Sequence, residues 1–220
     1  MKSKDIEYEI YHVGSKIANP SITNSLMIKI YKYYYEKDPT HTKYILNETI
    51  MSSNVFPSPI VNILTKKEKK ASIQINLSTH ALNVRGDDRS DVFELSKELR
   101  DVMISELGFD LKRIFSFYEI ITTFNLKVEK DPENVFKTFL SNKFSKIGSI
   151  DLNVNHIRLS DNFSPNDLED RLDLQFQPSP ISSKIIVLRL LKRTLMYDDL
   201  KKFHEGLEKF IKELREKIVE

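Results

Sequence analysis

The chain has no cysteine and only five glycines in 220 residues. Without cysteine there are no disulfides, no thiolate nucleophile and no sulfur-ligated metal, which fits a reducing compartment such as the cytoplasm. The few glycines are scattered. Neither a Walker loop nor a GxGxxG is present, and both need clustered glycines so that backbone N–H groups can converge on a phosphate. This argues against the common nucleotide-dependent enzymes. No window approaches the ~18 consecutive apolar residues of a membrane span. The opening stretch, MKSKDIEYEIYHVG, is charged where a secretory leader would be apolar. No cofactor and no membrane partner are expected. A formal net charge of +2 is too small to point to nucleic acid by itself, so that argument has to come from local clusters.

Charged residues make up 30% and hydrophobic residues 40% of the chain, an ordinary balance for a chain able to bury a core. Hydrophobic periodicity then gives the elements. Ile6, Tyr8, Ile10 and His12 alternate with polar neighbours as a strand does. The stretch LMIKIYKYYY (26–35) reads as a second strand, with Lys29, Tyr31, Tyr33 and Tyr35 on one face. A return strand is expected over Lys43–Met51. Ile60–Leu64, the charged turn TKKEKK and SIQINLS form a hairpin, with Ala81–Val84 as an extension of its second strand. Further strands are expected over Tyr118–Val128, Ile150–Val154, Leu172–Phe176 and the apolar run KIIVLRLLK.

Two principal helices stand out by their 3–4 spacing. One covers Ser90–Leu107 and stops at Gly108, and the other covers Asp198–Val219. A short helix opening at Asp131–Pro132 would bury Val135, Phe136, Phe139 and Leu140. The expected class is α+β: antiparallel sheet with two principal helices and one short helix packed on one face. The best seam is Ser52–Pro59, dividing a β-rich part (1–55) from an α+β part (56–220), unless the two form one continuous domain. The motif PSPI occurs at 57–60 and again at 178–181, which raises the question of duplication. No sustained period backs it, and the helix that follows comes much sooner after the second copy.

Candidate sites are sparse. His12, His41, His80, His156 and His204 show no i,i+4 zinc spacing, and HExxH is absent, so no metal is expected. His80 and His156 lie in or beside expected strands and are the candidates for a hydrolase or lyase site with nearby carboxylates. The acidic turn RGDDRSD is read as a glycine turn followed by a helix cap. Lys66, Lys67, Lys69 and Lys70 crowd a hairpin tip, where they would contact phosphate or simply blunt a sheet edge. Tyr31, Tyr33 and Tyr35 with Lys29 would line a strand face suited to a subunit interface or to stacked bases. The leading expectation is a non-catalytic binding or assembly protein, homodimeric through that tyrosine face. The alternatives are a nucleic-acid-binding protein using the lysine hairpin and the tyrosines, and the His80/His156 enzyme.

Overall fold

The computed structural model describes residues 6–52, 58–129, 157–161, 170–182 and 184–219, together with residues 132, 135, 136, 146, 147, 150 and 151. The strands are β1 (Ile6–Ile17), β2 (Tyr44–Leu46), β3 (Ile60–Lys66), β4 (Ala71–Asn76), β5 (Ala81–Gly86), β6 (Phe115–Lys127), β7 (Lys146–Ile147), β8 (Ile150–Asp151), β9 (Ile157–Ser160), β10 (Arg171–Pro178) and β11 (Ile185–Thr194). The helices are α1 (Thr23–Lys37), α2 (Thr49–Ser52), α3 (Arg89–Ser105), α4 (Leu111–Ile114) and α5 (Tyr197–Val219). Nine strands form one antiparallel sheet in the order β2-β3-β4-β5-β1-β6-β11-β10-β9, and β7 and β8 form a separate pair.

That order is nearly palindromic about the β1–β6 pair. Outward from β1 come β5, β4 and β3, and outward from β6 come β11, β10 and β9. In each half the chain lays down its central strand first and then passes through a helical segment. It next adds strands from the rim inward and closes with a long helix, α3 or α5. Pro132, Val135 and Phe136 are helical and buried where α1 stands in the first half; the rest of the expected short helix lies outside the described residues. The PSPI motifs do not mark this pseudo-two-fold. Ser58 and Pro59 lead into the outer strand β3, whereas Pro178 ends β10 and residues 179–181 turn toward β11. Their recurrence is unrelated to the topological one.

The long helices share one face of the sheet. α1 lies against β2 and β3, α3 against β4, β5 and β1, and α5 against β6 and β11. Between helices and sheet sits one apolar core. Ile73, Ile75, Leu82, Val84, Val13, Ile120, Phe124, Leu188 and Leu190 come from the strands, and Val92, Leu95, Leu99, Leu200, Leu207 and Ile211 from the helices. Asp88 caps α3, accepting from the N–H groups of Ser90 and Asp91, so the helix begins at Arg89, one residue before the Ser90 start expected from spacing.

The main correction concerns residues 26–35, which are helical. Leu26, Met27, Ile30, Tyr31 and Tyr34 are the buried positions, a period near 3.6. The run is apolar enough to satisfy a period of two as well, and the flanks decide the matter. Pro20 opens a 3-10 turn capped by Asn19, and Asp38 ends the helix. The Asp38 carboxylate accepts hydrogen bonds from the Thr42, Lys43 and Tyr44 N–H groups and from the Thr42 hydroxyl. Burial pushes its pKa up, but these four bonds outweigh burial and hold it below the usual carboxylate range. The carboxylate thereby fixes the turn into β2. The return strand expected over Lys43–Met51 is only three residues long and gives way to α2. Ala81–Val84 belongs to a separate strand, β5, reached by a turn in which His80 has a φ of 50°. Residues on both sides of the 55/56 seam contribute strands to the same sheet, and α1 makes the first part helical as well as β.

Leu99 and Leu207 are buried at the two helix–sheet contacts. Leu99→Ala and Leu207→Ala are each expected to cost roughly 2–5 kcal/mol in chemical denaturation. Losses typical of surface positions would contradict the packing.

Candidate functional site

With all three long helices on one side, the opposite face of the sheet carries no helix among the described residues. Cross-strand partners share a face, so the register lays this open face out in rows. One row runs Asn62, Gln74, Asn83, Gly14, Glu119, Arg193, Arg171. The next runs Thr65, Ser72, Arg85, His12, Ile121, Leu191, Asp173, Ser160. A third places Thr123, Arg189, Gln175 and Arg158 side by side.

The described side chains of this face are strongly unbalanced in charge. Lys16, Arg85, Lys127, Arg158, Arg171, Arg189 and Arg193 are basic, and only Glu119 and Asp173 are acidic. Both acids are already matched. Arg193 Nη2 donates to Glu119 Oε2 at 2.9 Å, and Arg158 Nε donates to both Asp173 oxygens at 3.0 and 3.1 Å. Arg85 and Arg189 are exposed and form no ion pair with a described residue. On the helix side, Glu94, Glu98 and Asp101 of α3 and Glu106 just beyond its end line an open groove together with Lys97 and Tyr33.

Gly14 sits at the centre of the open face. A Cβ there would lie 3.0 Å from Asn83 Oδ1 and 3.2 Å from both His12 Nε2 and Glu119 Cγ. The missing side chain lets three polar groups lean over the strand. His12 Nε2 and Asn83 Oδ1 are sealed from solvent, and neither makes a hydrogen bond of ordinary geometry. Burial lowers the His12 pKa below its usual value; the neighbouring Asn83 amide and the Glu119 carboxylate oppose this, and Arg85 and Arg189 reinforce it.

The residues expected from sequence to form sites fall elsewhere. On α1 the tyrosines diverge rather than sharing a strand face. Tyr31 is buried and stacks on the exposed Tyr35 at 6.0 Å, while Tyr33 turns edge-on to Tyr34 at 5.3 Å. Lys29 lies over the Phe109 ring at 4.9 Å. The single strand face invoked for a dimer or for base stacking is therefore not formed: Tyr31 and Tyr35, at i and i+4, stay on one side of the helix, and Tyr33, at i+2, turns to another. Three of the four hairpin lysines are engaged with their own chain. Lys66 pairs with Glu98 at 2.5 Å, Lys69 pairs with Glu94 and Asp91, and Lys67 donates to the His41 carbonyl at 2.6 Å. Glu98 also accepts from the Tyr44 and Tyr34 hydroxyls, at 2.6 and 3.3 Å, and so ties α1, β2, β3 and α3 together. Lys70 is exposed, at a φ of 44°.

Among the candidate histidines, His80 Nδ1 is 3.2 Å from the Thr23 hydroxyl at the start of α1. His156 lies outside the described residues. Among the described residues no three His, Asp or Glu side chains converge as a metal-ion site, and no helix is long and apolar enough to cross a membrane. The open-face cluster escaped sequence reading because its members are far apart in the chain and meet only through β1 and β6. The alternation of His12 and Gly14 with Val13 placed the two on one face, but nothing local named Asn83, Glu119 or Arg189 as neighbours.

On the helix side, Tyr11 Oη and His204 Nδ1 are hydrogen-bonded at 2.8 Å, and the imidazole stacks on Phe93 with ring centres 3.7 Å apart. Burial, and then the charge of Arg89, hold the His204 pKa at about 4. The folded chain refuses a proton that the unfolded chain accepts near ~6.5. Stability is therefore full above that pH and falls as pH drops toward 4, by on the order of 1–3 kcal/mol once solvent screening is allowed for. Thermal unfolding of His204→Gln should show a flatter acid limb than wild type over this range. Superimposable limbs would contradict the assignment.

No family model matches the chain and no curated protein matches its sequence, so the site is read from its own residues.

Proposed function

We propose that the protein is a non-catalytic binding protein that holds duplex nucleic acid on the helix-free face of its sheet. The observation that supports this reading is the charge imbalance of that face. The two acids among its described side chains are matched within the fold, and basic groups remain spread across several strands at about 4.8 Å per strand. An elongated polyanion fits such a surface better than a compact ligand does. The accompanying amides, Asn62, Gln74, Asn83, Asn125 and Gln175, are groups that hydrogen-bond to sugar, phosphate and base edges.

A double helix is favoured over a single strand by what the face lacks. Single-strand binders stack bases on exposed aromatic rings. Phe117 is the one aromatic among the described side chains of this face; it is 7% exposed and lies under the Arg193 guanidinium at 3.8 Å. The nucleic-acid alternative thus moves from the lysine hairpin and the tyrosines to the other side of the molecule.

Self-association keeps one supporting observation. Ile45 and Ile60 on the open face and Met51 in α2 are about half exposed near the β2 edge of the sheet, and β2 is a short edge strand with no strand beyond it among the described residues. Sedimentation decides this second reading: a monomer at tens of micromolar, on the order of weak specific association, removes it.

For the nucleic-acid reading, a random 20-base-pair duplex should be retarded by wild type at low salt. The log–log salt slope should be roughly 0.9 per phosphate neutralised. Lys67→Glu/Lys70→Glu should bind as wild type does, and Lys127→Glu/Arg189→Glu should not bind. Absence of any wild-type shift at low salt overturns the reading, and loss of binding in the hairpin variant alone returns it to the lysine hairpin.

A further inference from the structure

Arg85, His12 and Arg189 project from three strands at the middle of the open face, the two arginines without an ion-pair partner among the described residues. Arg85 is the direct cross-strand partner of His12 on β5. Arg189 lies on β11, two strands from β1 on the other side, paired with Thr123 while His12 pairs with Ile121. Two strand spacings and a two-residue offset put its Cα roughly 12 Å from that of His12; the imidazole leans toward Gly14, so it is the long Arg189 side chain that has to span this gap. Of the other arginines in these rows, Arg193 is committed to Glu119 and Arg158 to Asp173. Arg85 and Arg189 are not, and His12 Nε2 has no hydrogen-bond partner.

We propose that Arg85, His12 and Arg189 form an oxyanion site for one phosphate group, in which two permanent cations flank a histidine that becomes the third when the site is filled. The idea rests on the reading of the open face given above and deepens it by naming the point at which the partner's phosphate is gripped.

The electrostatics of the empty site agree with this. The charged groups facing His12 are Arg85 from β5, Glu119 from β6 and Arg189 from β11; Asn83 on β5 is the neutral neighbour. The Glu119 carboxylate is shared with Arg193, so it does not occupy the two free guanidiniums. With both arginines unscreened and the ring buried, His12 is held neutral at neutral pH. A phosphate lying between the guanidiniums screens them and gives the imidazolium N–H an acceptor, and both effects favour the protonated ring. Filling the site therefore takes up a proton, and by linkage affinity rises as pH falls through the range between the bound and the free midpoint of the ring. Guanidinium forks suit phosphate oxygens, and a histidine between them adds the pH dependence that two arginines alone would lack. Gly14 contributes by absence, since a Cβ there would crowd His12 Nε2 and Asn83 Oδ1 at 3.2 and 3.0 Å and require both side chains to shift slightly.

The experiment follows the His12 ring nitrogens by NMR in the full chain, first with inorganic phosphate alone and then with the 20-base-pair duplex. The same duplex is titrated against Arg85→Ala, Arg189→Ala and, as a control on the helix side, Lys32→Ala. The expected results are a His12 titration midpoint raised by about one pH unit or more in either ligand, and duplex affinity at least about tenfold weaker in each arginine variant. Each arginine variant should also lose roughly 0.9 from the salt slope, and Lys32→Ala should match wild type. Duplex binding with an unmoved His12 and unaffected arginine variants overturns the oxyanion site and leaves the open-face reading standing. A His12 midpoint raised by phosphate in a chain that binds no duplex supports the site and overturns the nucleic-acid reading, assigning the site to a free phosphate or a small phosphorylated ligand. No response to either ligand overturns both.

Discussion

The antiparallel pairing of β1 with β6 is the interaction on which the rest of the molecule depends. β1 is laid down within the first seventeen residues and its partner begins only at Phe115, so the pair closes a loop of nearly a hundred residues. Closing such a loop costs entropy that grows slowly with length, and the long register from Ile6↔Leu126 to Ile17↔Phe115 is what offsets it. Each half-sheet hangs from one member of this pair, β5 to β3 on one side and β11 to β9 on the other. Without the seam there would be two open half-sheets, each with an exposed edge of a dozen residues and half a helical layer.

A sheet this wide has two faces, and the helices can serve only one. The crossovers in each half return α1, α3 and α5 to the same side, which concentrates the apolar residues there and leaves the other side to polar ones. The alternation within single strands makes this division sharp. Ile73 and Ile75 face the helices while Ser72 and Gln74 face away, and Leu188 and Leu190 are buried while Arg189 is exposed. The open face is thus a consequence of topology before it is a surface with a purpose. What topology does not require is its sign. Serine, threonine and amides would solubilise such a face equally well, and acids are plentiful on α3 directly across the sheet.

The elements read most securely from sequence were those in which one period excluded the other. The pattern at Leu200, Phe203, Leu207, Phe210 and Leu214, and the alternation from Tyr118 to Val128, survive as α5 and β6 because neither could be re-read with the other period. LMIKIYKYYY failed that test, since nearly every position is apolar or amphipathic and both periods fit; the signal that would have settled it was Pro20 and Asn19 upstream, which start a helix and not a strand. The consequence reached the site assignment. Moving three tyrosines from a strand to a helix dissolved the face that had been built on them. The pseudo-two-fold was illegible for a different reason. It resides in strand order, and the one shared tetrapeptide falls at inequivalent places in the two halves.

The centre of the sheet is where local rules are broken most openly. Gly14 interrupts β1 midway, where glycine weakens a strand and a β-branched residue would pack better. His12 and Glu119 sit beside it on the two central strands, and Thr122 is fully buried on the helix face, paired with Tyr11. Two solvent-sealed polar atoms, His12 Nε2 and Asn83 Oδ1, are left without hydrogen bonds, each a cost of about 1–3 kcal/mol that an apolar pair of similar shape would avoid. A chain selected for stability alone has no use for such a cluster at its best-paired position. Rule-breaking of this kind gathers where a protein meets a ligand. The strand pair that holds the two halves together is also a long, fully paired platform on which to place an arginine–histidine–arginine cluster. Fixed side chains lose little freedom when a partner arrives, so a binding point gains more from standing on β1 and its neighbours than from any hairpin tip at the rim.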